Sequence, residues 1–395
     1  MSSPRTKLGI IFLTVFIDMI GFAIIIPVLP LYAERFGASS VQIGCLVGVY
    51  SLIQFVCSPY LGRLSDRVGR RPVLLVSILG TAVGFAVMGL ANALWMLFLA
   101  RAIDGFSGGN ISTAQAYIAD VTSPENRSRA MGMIGAAFGL GFILGPAIGG
   151  WASKSSLAAP FYFAAALAAV NAALIYFLLP ESLDHEHRIQ PHERPSVATI
   201  LSHGRGWALG GVMAAYFFSI MGFAIMTTLF ALFTEHRFHY TARDNGYIFA
   251  YIGVLGVVIQ GGLLGRLVKA YGEKTLATLG AALLAASLFA LPLSNTRQVL
   301  MMVCAGIALG NGFLTPTLNG LASRNVEKNW QGRAMGLMQS CGSLGRFVGP
   351  MLAGWLLGVH AAEYARTAFW TAGSILVVAF ALTLGISASP SAKPA

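Results

Sequence analysis

Charge is scarce in this chain: 10% of its 395 residues are Asp, Glu, Lys or Arg, against about 25% in a soluble globular domain. A water-soluble enzyme is excluded on that ground, and the net charge of +11 is carried by too few side chains to build a nucleic-acid-binding face. Cysteine is nearly absent as well. Cys45, Cys57, Cys304 and Cys341 fall inside apolar stretches with no C-x-x-C spacing, which removes a disulfide framework and a thiolate metal site and leaves four small core residues. The seven histidines stand in polar breaks or at the ends of apolar runs, so a haem or a histidine-held metal within those runs is not expected. No cofactor, no metal and no catalytic set of Ser, His or Cys is read from the chain.

What the chain does contain is apolar: 56% hydrophobic residues, 46 glycines and a mean hydropathy of +0.71. Stretches free of acid and base cover 36–62, 72–100, 130–153, 155–180, 206–234, 245–265, 275–296, 298–323 and 367–392, while 8–33 and 334–362 each hold one charge. A bilayer core takes about 20 apolar residues per helix. The run from Pro72 to Ala119 is too long for one span, and Asn92 marks a turn that divides it. The expectation is an all-α membrane protein of twelve transmembrane helices. Its first apolar run has no A-x-A-like cleavage site and is read as helix 1. Eighteen Lys and Arg stand on one side's ends and loops and six on the other's, which predicts cytoplasmic termini in a cell inner or plasma membrane.

The most polar long segment, 181–206, separates a six-helix bundle at 1–180 from a second at 207–395 and reads as a cytoplasmic linker. The two halves repeat one pattern. Arg129-Ala130-Met131-Gly132 returns 204 residues later as Arg333-Ala334-Met335-Gly336, Gly145-Pro146 as Gly349-Pro350, and Gly150-Trp151 as Gly354-Trp355. Gly62-Arg63-Leu64 returns at an offset of 203, and Gly21 to Ile24 at 201. Pseudo-symmetric halves of six helices are a transporter architecture, with alternating access to a site between them.

The loop after helix 2 reads Gly62-Arg63-Leu64-Ser65-Asp66-Arg67-Val68-Gly69-Arg70-Arg71. A generic basic loop accounts for the arginines and leaves an aspartate held between two glycines unexplained. Here the chain resembles the major facilitator superfamily, whose signature G-x-L-x-D-R-x-G-R-[RK] it matches at every fixed position. The resemblance implies a cytoplasmic gate in which Asp66 sits at the N-terminus of helix 11 and the arginines pair with Asp120 at the end of helix 4. Gly62, Asp66, Arg67, Gly69, Arg70 and Asp120 are its expected members, and Lys269 replaces the aspartate in the second copy.

Helix 5 carries Gly132, Gly141, Gly145, Pro146, Gly149 and Gly150. Small residues four apart permit close helix approach. Their spacing is similar to the antiporter motif of the drug:proton antiporter branches, which implies a helix 5 contact with helix 8, where Gly253, Gly256, Gly261, Gly262 and Gly265 are available. Helix 4 holds Arg101 and Asp104, one turn apart, which serve proton transfer in the resemblance or neutralise each other. Asp18 lies near the middle of helix 1 with no basic neighbour in sequence and Ser219 as its repeat counterpart. An intramembrane acid is a functional hypothesis by default, so Asp18 is expected to load and release the coupling proton, with hydrogen bonding to backbone or capping by Arg101 as the structural alternative. Arg346, mid-helix 11, either binds an anionic group or donates to carbonyls freed by Pro350. Gln54, Asn110, Gln115, Gln260, Asn311 and Gln339 are the uncharged cavity candidates, with Tyr216, Phe217 and Phe223 as aromatic walls.

Across the N-terminal half the chain looks like the tetracycline-efflux group, through Asp18 to Pro30, Gly62 to Leu75 and Ala116 to Asp120. It departs from that group in having Gly84 where helix 3 carries an acid, and no acid from Thr275 to Leu293. The expected function is proton-coupled efflux of small amphipathic or drug-like molecules by a monomer in the bilayer. The alternative is a proton-coupled symporter or facilitator for uptake of a small metabolite.

Overall fold

A computed structural model describes residues 4–108, 110–122, 124–182, 206–326, 331–359 and 365–386. All regular structure among them is helical, as hydrocarbon requires of a single-chain span that must satisfy its own backbone polar groups. In chain order the helices are α1 Pro4–Ile24, α2 Leu29–Glu34, α3 Ser40–Val68, α4 Arg70–Gly89, α5 Leu94–Ser107, α6 Asn110–Val121 and α7 Pro124–Ala152. They continue with α8 Ala159–Leu178, α9 Gly206–Phe238, α10 Ala242–Val258, α11 Leu264–Ala290, α12 Arg297–Arg324, α13 Gln331–Val359 and α14 Arg366–Gly385. Eight helical stretches are long and apolar enough to cross a bilayer. Val76, Trp95, Phe177 and Met302 are exposed large apolar side chains, which suits a surface facing lipid.

Local signals set the ends. Ser39 and Gln42 form a reciprocal capping box at the start of α3, at 3.3 and 2.8 Å, and Thr296 caps α12 through Val299 N–H. Gly69, at φ 115°, separates α3 from α4, and Gly272, at φ 79°, kinks α11 at the matching place in the repeat. Asn92 lies in the turn between α4 and α5, where a division was expected. Two breaks were not expected. The run 8–33 is split between α1 and α2 around Pro27, and helix 4 is interrupted after Ser107, with Gly108 as its cap. A π turn, Ile259–Leu263, interrupts helix 8 at Gln260-Gly261-Gly262.

The contacts group the chain into two compact units, one of Met1–Pro191, Thr227–Val254 and Pro350–Ala361, the other of His192–Met226, Leu255–Gly349 and Ala362–Ala395. The first is cored by Ile11, Val15 and Met19 of α1 against Leu74 and Ile78 of α4, Tyr117 and Ile118 of α6, and Ile175 of α8. In the second, buried Leu284 and Leu288 of α11, Ile307 of α12 and Leu376 of α14 do the same work. One packing detail appears in both. A methyl group added at Gly145 would stand 2.5 Å from Ala23 Cβ and 2.8 Å from the Ile20 carbonyl; one at Gly349 would stand 3.0 Å from Ala224 Cβ and 2.7 Å from the Met221 carbonyl. Helix 5 lies on helix 1 as helix 11 lies on helix 7, through the residues that the sequence repeats.

Candidate functional site

Asp18 sits on the α1 face that meets α4 and α6, with Thr14 one turn before it. Asn110, the first residue of α6, lines the same small cleft as Asp18 and Thr14. Among the described residues no cationic group stands within 4 Å of Asp18. Capping by Arg101 does not occur. Arg101 instead pairs with Asp104 at 3.1 Å, donates to the Val47 carbonyl at 3.4 Å and lies over the Tyr50 ring at 4.5 Å. Both members of that pair are 3% exposed. Mutual neutralisation at i, i+3 is therefore the geometry found.

Gln54 is buried and braces the break in helix 4, donating to Gly108 O at 2.7 Å and to Tyr50 Oη at 3.1 Å. Its amide nitrogen is thereby spent on the interrupted helix. Sequence reasoning missed the aromatic group beside it: Phe22 of α1 contacts both Tyr50 of α3 and Phe142 of α7, with centroids 5.4 and 6.2 Å apart. Their places one turn from Asp18 and four residues from Gln54 are a signal that helical spacing could have supplied. Gln115 is half-buried on α6.

The arginine loop forms a cluster. Arg70, 9% exposed at its side chain, bridges Asp66 at 2.6 Å and Asp120 at 3.0 Å and also donates to Ser65 Oγ at 2.6 Å. Arg67 is exposed and makes no ion pair among the described residues. Two partners were not foreseen. Glu181 accepts from the backbone N–H groups of Arg70 and Arg71 at 2.9 and 3.2 Å, holding a negative charge at the N-terminus of α4, and Ser182 donates to Asp120. Both lie at the start of the polar segment, where composition suggested only a linker. The expected seat of Asp66 at the start of helix 11 involves residues 327–333, outside those whose side chains are described.

The glycines of helix 5 divide their work differently from expectation. Gly141, Gly145 and Gly149 pack on α1 at Met19, Ala23 and Ile24, and only Pro146 and Gly150 meet helix 8. Their partner there is Gly246, with Gly253 against Ile143; an added methyl at Gly256, Gly261, Gly262 or Gly265 would meet no described atom within 4 Å. The motif has two faces because positions four apart share a side of the helix, and Gly150 lies one residue, about 100°, beyond Gly149. Gly132 lies outside the residues whose side chains are described, and Gly62 has no close neighbour. On the same side of this unit Gly354 and Pro350 pack closely on Ser40 and Gly44 of α3.

In the second unit Ser219, counterpart of Asp18, gives its hydroxyl to Ala215 O at 2.6 Å. Arg346 donates to Ser343 Oγ at 3.0 Å and has no carboxylate within 4 Å among the described residues. Tyr216 is 4% exposed, Asn311 accepts from Thr315, and Phe223 and Gln339 are half-buried. Gln260 is exposed within the π turn. The charge pair here is Glu273 with Arg324 at 3.2 Å, which sequence reading did not single out.

The family model described as Major Facilitator Superfamily matches residues 11–350 and 263–395. A tetracycline resistance protein, class C, of Escherichia coli is 33% identical over 367 residues, 92% of each chain. Multidrug resistance protein 2 of Bacillus subtilis is 31% identical over 398 residues, spanning 97% of this chain and 96% of its own. Among solved structures, the human organic anion transporter MFSD10 superposes with a TM-score of 0.74 at 27% identity, covering 97% of this chain and all of its own.

Proposed function

The chain belongs to the major facilitator superfamily, whose members are multi-pass membrane transporters of small molecules, and from that premise we propose that it exports amphipathic drug-like compounds in exchange for protons. The observation that carries the reading is Asp18, a carboxyl inside an apolar span that lines a cleft with Thr14 and Asn110 and has no cation within 4 Å among the described residues. Such a group is neutral with a proton and charged without one, so its two states favour different surroundings. Loading from one side and release to the other, as access alternates, couples the proton to the substrate.

Arg101 and Asp104 support this site by neutralising each other beside it, and Arg70 with Asp66 and Asp120 acts as the cytoplasmic latch. The chain functions as a monomer of twelve spans in two six-helix halves, with cytoplasmic termini in the inner or plasma membrane. The proton is its coupling ion; it has no cofactor, no nucleic-acid partner and no enzymatic step.

Substrate class follows from both the relatives and the packing. The named activities of the relatives are tetracycline and multidrug resistance, and that of one structural neighbour is organic anion transport. At Gly84 an added methyl would stand 3.1 Å from the Ala100 carbonyl and 3.2 Å from Asp104 Cβ, so a side chain there requires the neighbouring helix to give by a few tenths of an ångström. A broad amphipathic range fits better than a cationic chelate. The test is to add a panel of such compounds to acidified everted vesicles. Wild type releases protons on addition of a substrate, and Asp18→Asn binds that substrate without releasing them. Unchanged release in Asp18→Asn refutes the assignment.

A further inference from the structure

Arg346 stands midway along α13, a helix of 29 residues, and the apolar runs of the second half hold nothing to neutralise it. The runs 206–234, 245–265, 275–296, 298–323, 334–362 and 367–392 contain no Asp or Glu. Among the described residues no carboxylate lies within 4 Å of Arg346, whereas Arg101 of the first unit has Asp104. A guanidinium stays charged at any working pH. It cannot escape the cost of an apolar span by losing a proton, and such charges face a cavity or a partner.

The packing role open to this side chain is not the one it takes. Pro350 has no N–H, so the carbonyl left without its helical donor is that of residue 346 itself, which points toward the C-terminal end of the helix. The guanidinium turns the other way and donates to Ser343 Oγ at 3.0 Å, one turn earlier. Ser343 is 7% exposed, and its hydroxyl, having accepted from Arg346, still has a proton to give. Gly342 makes room at the same place. A methyl group built on it would stand 3.3 Å from Arg346 Nη1, 3.0 Å from Tyr216 Cε1 and 3.6 Å from Tyr216 Oη. The guanidinium, the tyrosine edge and its hydroxyl therefore meet over backbone that carries no side chain. A fixed positive charge with hydroxyls and an aromatic edge beside it suits a carboxylate or sulfonate on an aromatic body, taken through two parallel N–H bonds. Roughly 20 Å of helix on either side keeps Arg346 from a lipid headgroup.

We propose that Arg346, with Ser343 and Tyr216, binds the anionic group of the exported substrate, which is an amphipathic aryl carboxylate or sulfonate. This assignment rests on the export reading above and narrows its substrate class. The test is calorimetric titration of the full-length protein in phosphatidylcholine nanodiscs with 2-naphthoate and naphthalene-2-sulfonate, each against its uncharged amide. Wild type binds the anions more tightly. Arg346→Gln weakens them at least about tenfold and leaves the amides within about twofold, while Arg346→Lys keeps part of the preference, a point charge replacing the fork. The unfolding midpoint of ligand-free Arg346→Gln stays equal or rises, because a charge without a counter-ion has gone. A marked fall in it, no preference for the anions in wild type, or the same preference in Arg346→Gln overturns the proposal. Should Arg346→Gln fail to fold, Arg346→Lys decides, with equal anion affinity in it and in wild type contradicting the assignment. Proton release from acidified everted vesicles separates the two readings. Naphthoate held through Arg346 but releasing no protons refutes antiport alone; release driven equally by the anion and its amide, in wild type and in Arg346→Gln, refutes the anion site alone.

Discussion

The two copies of the repeated pattern share a skeleton and differ in chemistry. Gly145 on Ala23 and Gly349 on Ala224 make the same close approach, and Gly69 and Gly272 make the same left-handed turn. Charge follows no such rule. Where the first copy has Thr14, Asp18 and Arg101, the second has Ala215, Ser219 and, at offsets of 203 and 204, Cys304 or Ala305. Asp104 becomes Ile307 or Ala308, and Asn110 becomes Phe313 or Leu314. At the loop the polarity is reversed: Arg70 meets Asp120 in the first unit and Glu273 meets Arg324 in the second. Close backbone contact is what the fold needs from both copies, so polar groups of the first copy are additions to a scaffold that the second builds without them.

Relocating the carboxyl is the strongest way to break that comparison. Asp18→Ser with Ser219→Asp conserves composition, but the repeat puts Ala215 where Thr14 stands and Phe313 or Leu314 where Asn110 stands. Complete loss of substrate-driven proton release is expected, and recovered release would show that the site needs no built surroundings. Next in size is Asp104→Asn, which leaves Arg101 buried without its counter-charge. A lost buried partner costs about 3–5 kcal/mol, read as a lower unfolding midpoint in detergent. Adding Arg101→Gln recovers most of the loss if the pair is a neutralising unit; no recovery would assign Asp104 a separate task.

How much of this was legible beforehand depended on the range of the interaction. Apolar run length located the spans, since a span must be helical and about 20 residues long, and the pairing of Arg101 with Asp104 follows from i, i+3 spacing alone. The neighbour of Asp18 was not legible, because Asn110 is 92 residues away and is brought beside it only by the packing of helices 1 and 4. The helix 5 motif was read as one contact surface and proved to be two. Glu181 was taken as linker, for nothing local distinguishes a solvated acid from one seated on the N-terminus of a helix 110 residues earlier.

The skeleton itself is tested by adding a methyl group to each copy. Gly145→Ala and Gly349→Ala both force a clash with a neighbouring helix at 3.0 Å or less, and overpacking costs about 1–3 kcal/mol. Similar falls in unfolding midpoint are expected for both, with Gly336→Ala, which meets nothing within 4 Å, as the unaffected control. A loss at Gly145 alone would mean that only the first copy depends on close approach.

The smallest effect separates the two loop pairs. Arg70 is 9% exposed and serves two carboxylates, whereas Arg324 is 65% exposed and serves one, so Arg324→Gln should change stability by no more than about 0.5 kcal/mol, with a larger fall for Arg70→Gln. Glu273 adds a sign. Burial pushes its carboxyl above the ordinary glutamate value, against the opposing pull of Arg324. The native state therefore holds that proton more tightly than the unfolded chain does. Its contribution is full below the unfolded value and is lost as pH rises through the native one. Glu273→Gln should accordingly flatten the decline in unfolding midpoint across that acidic window and leave the midpoint at neutral pH the same or slightly higher. A marked fall at neutral pH would mean that the reversed pair, despite its exposure, holds the second loop as firmly as Arg70 holds the first.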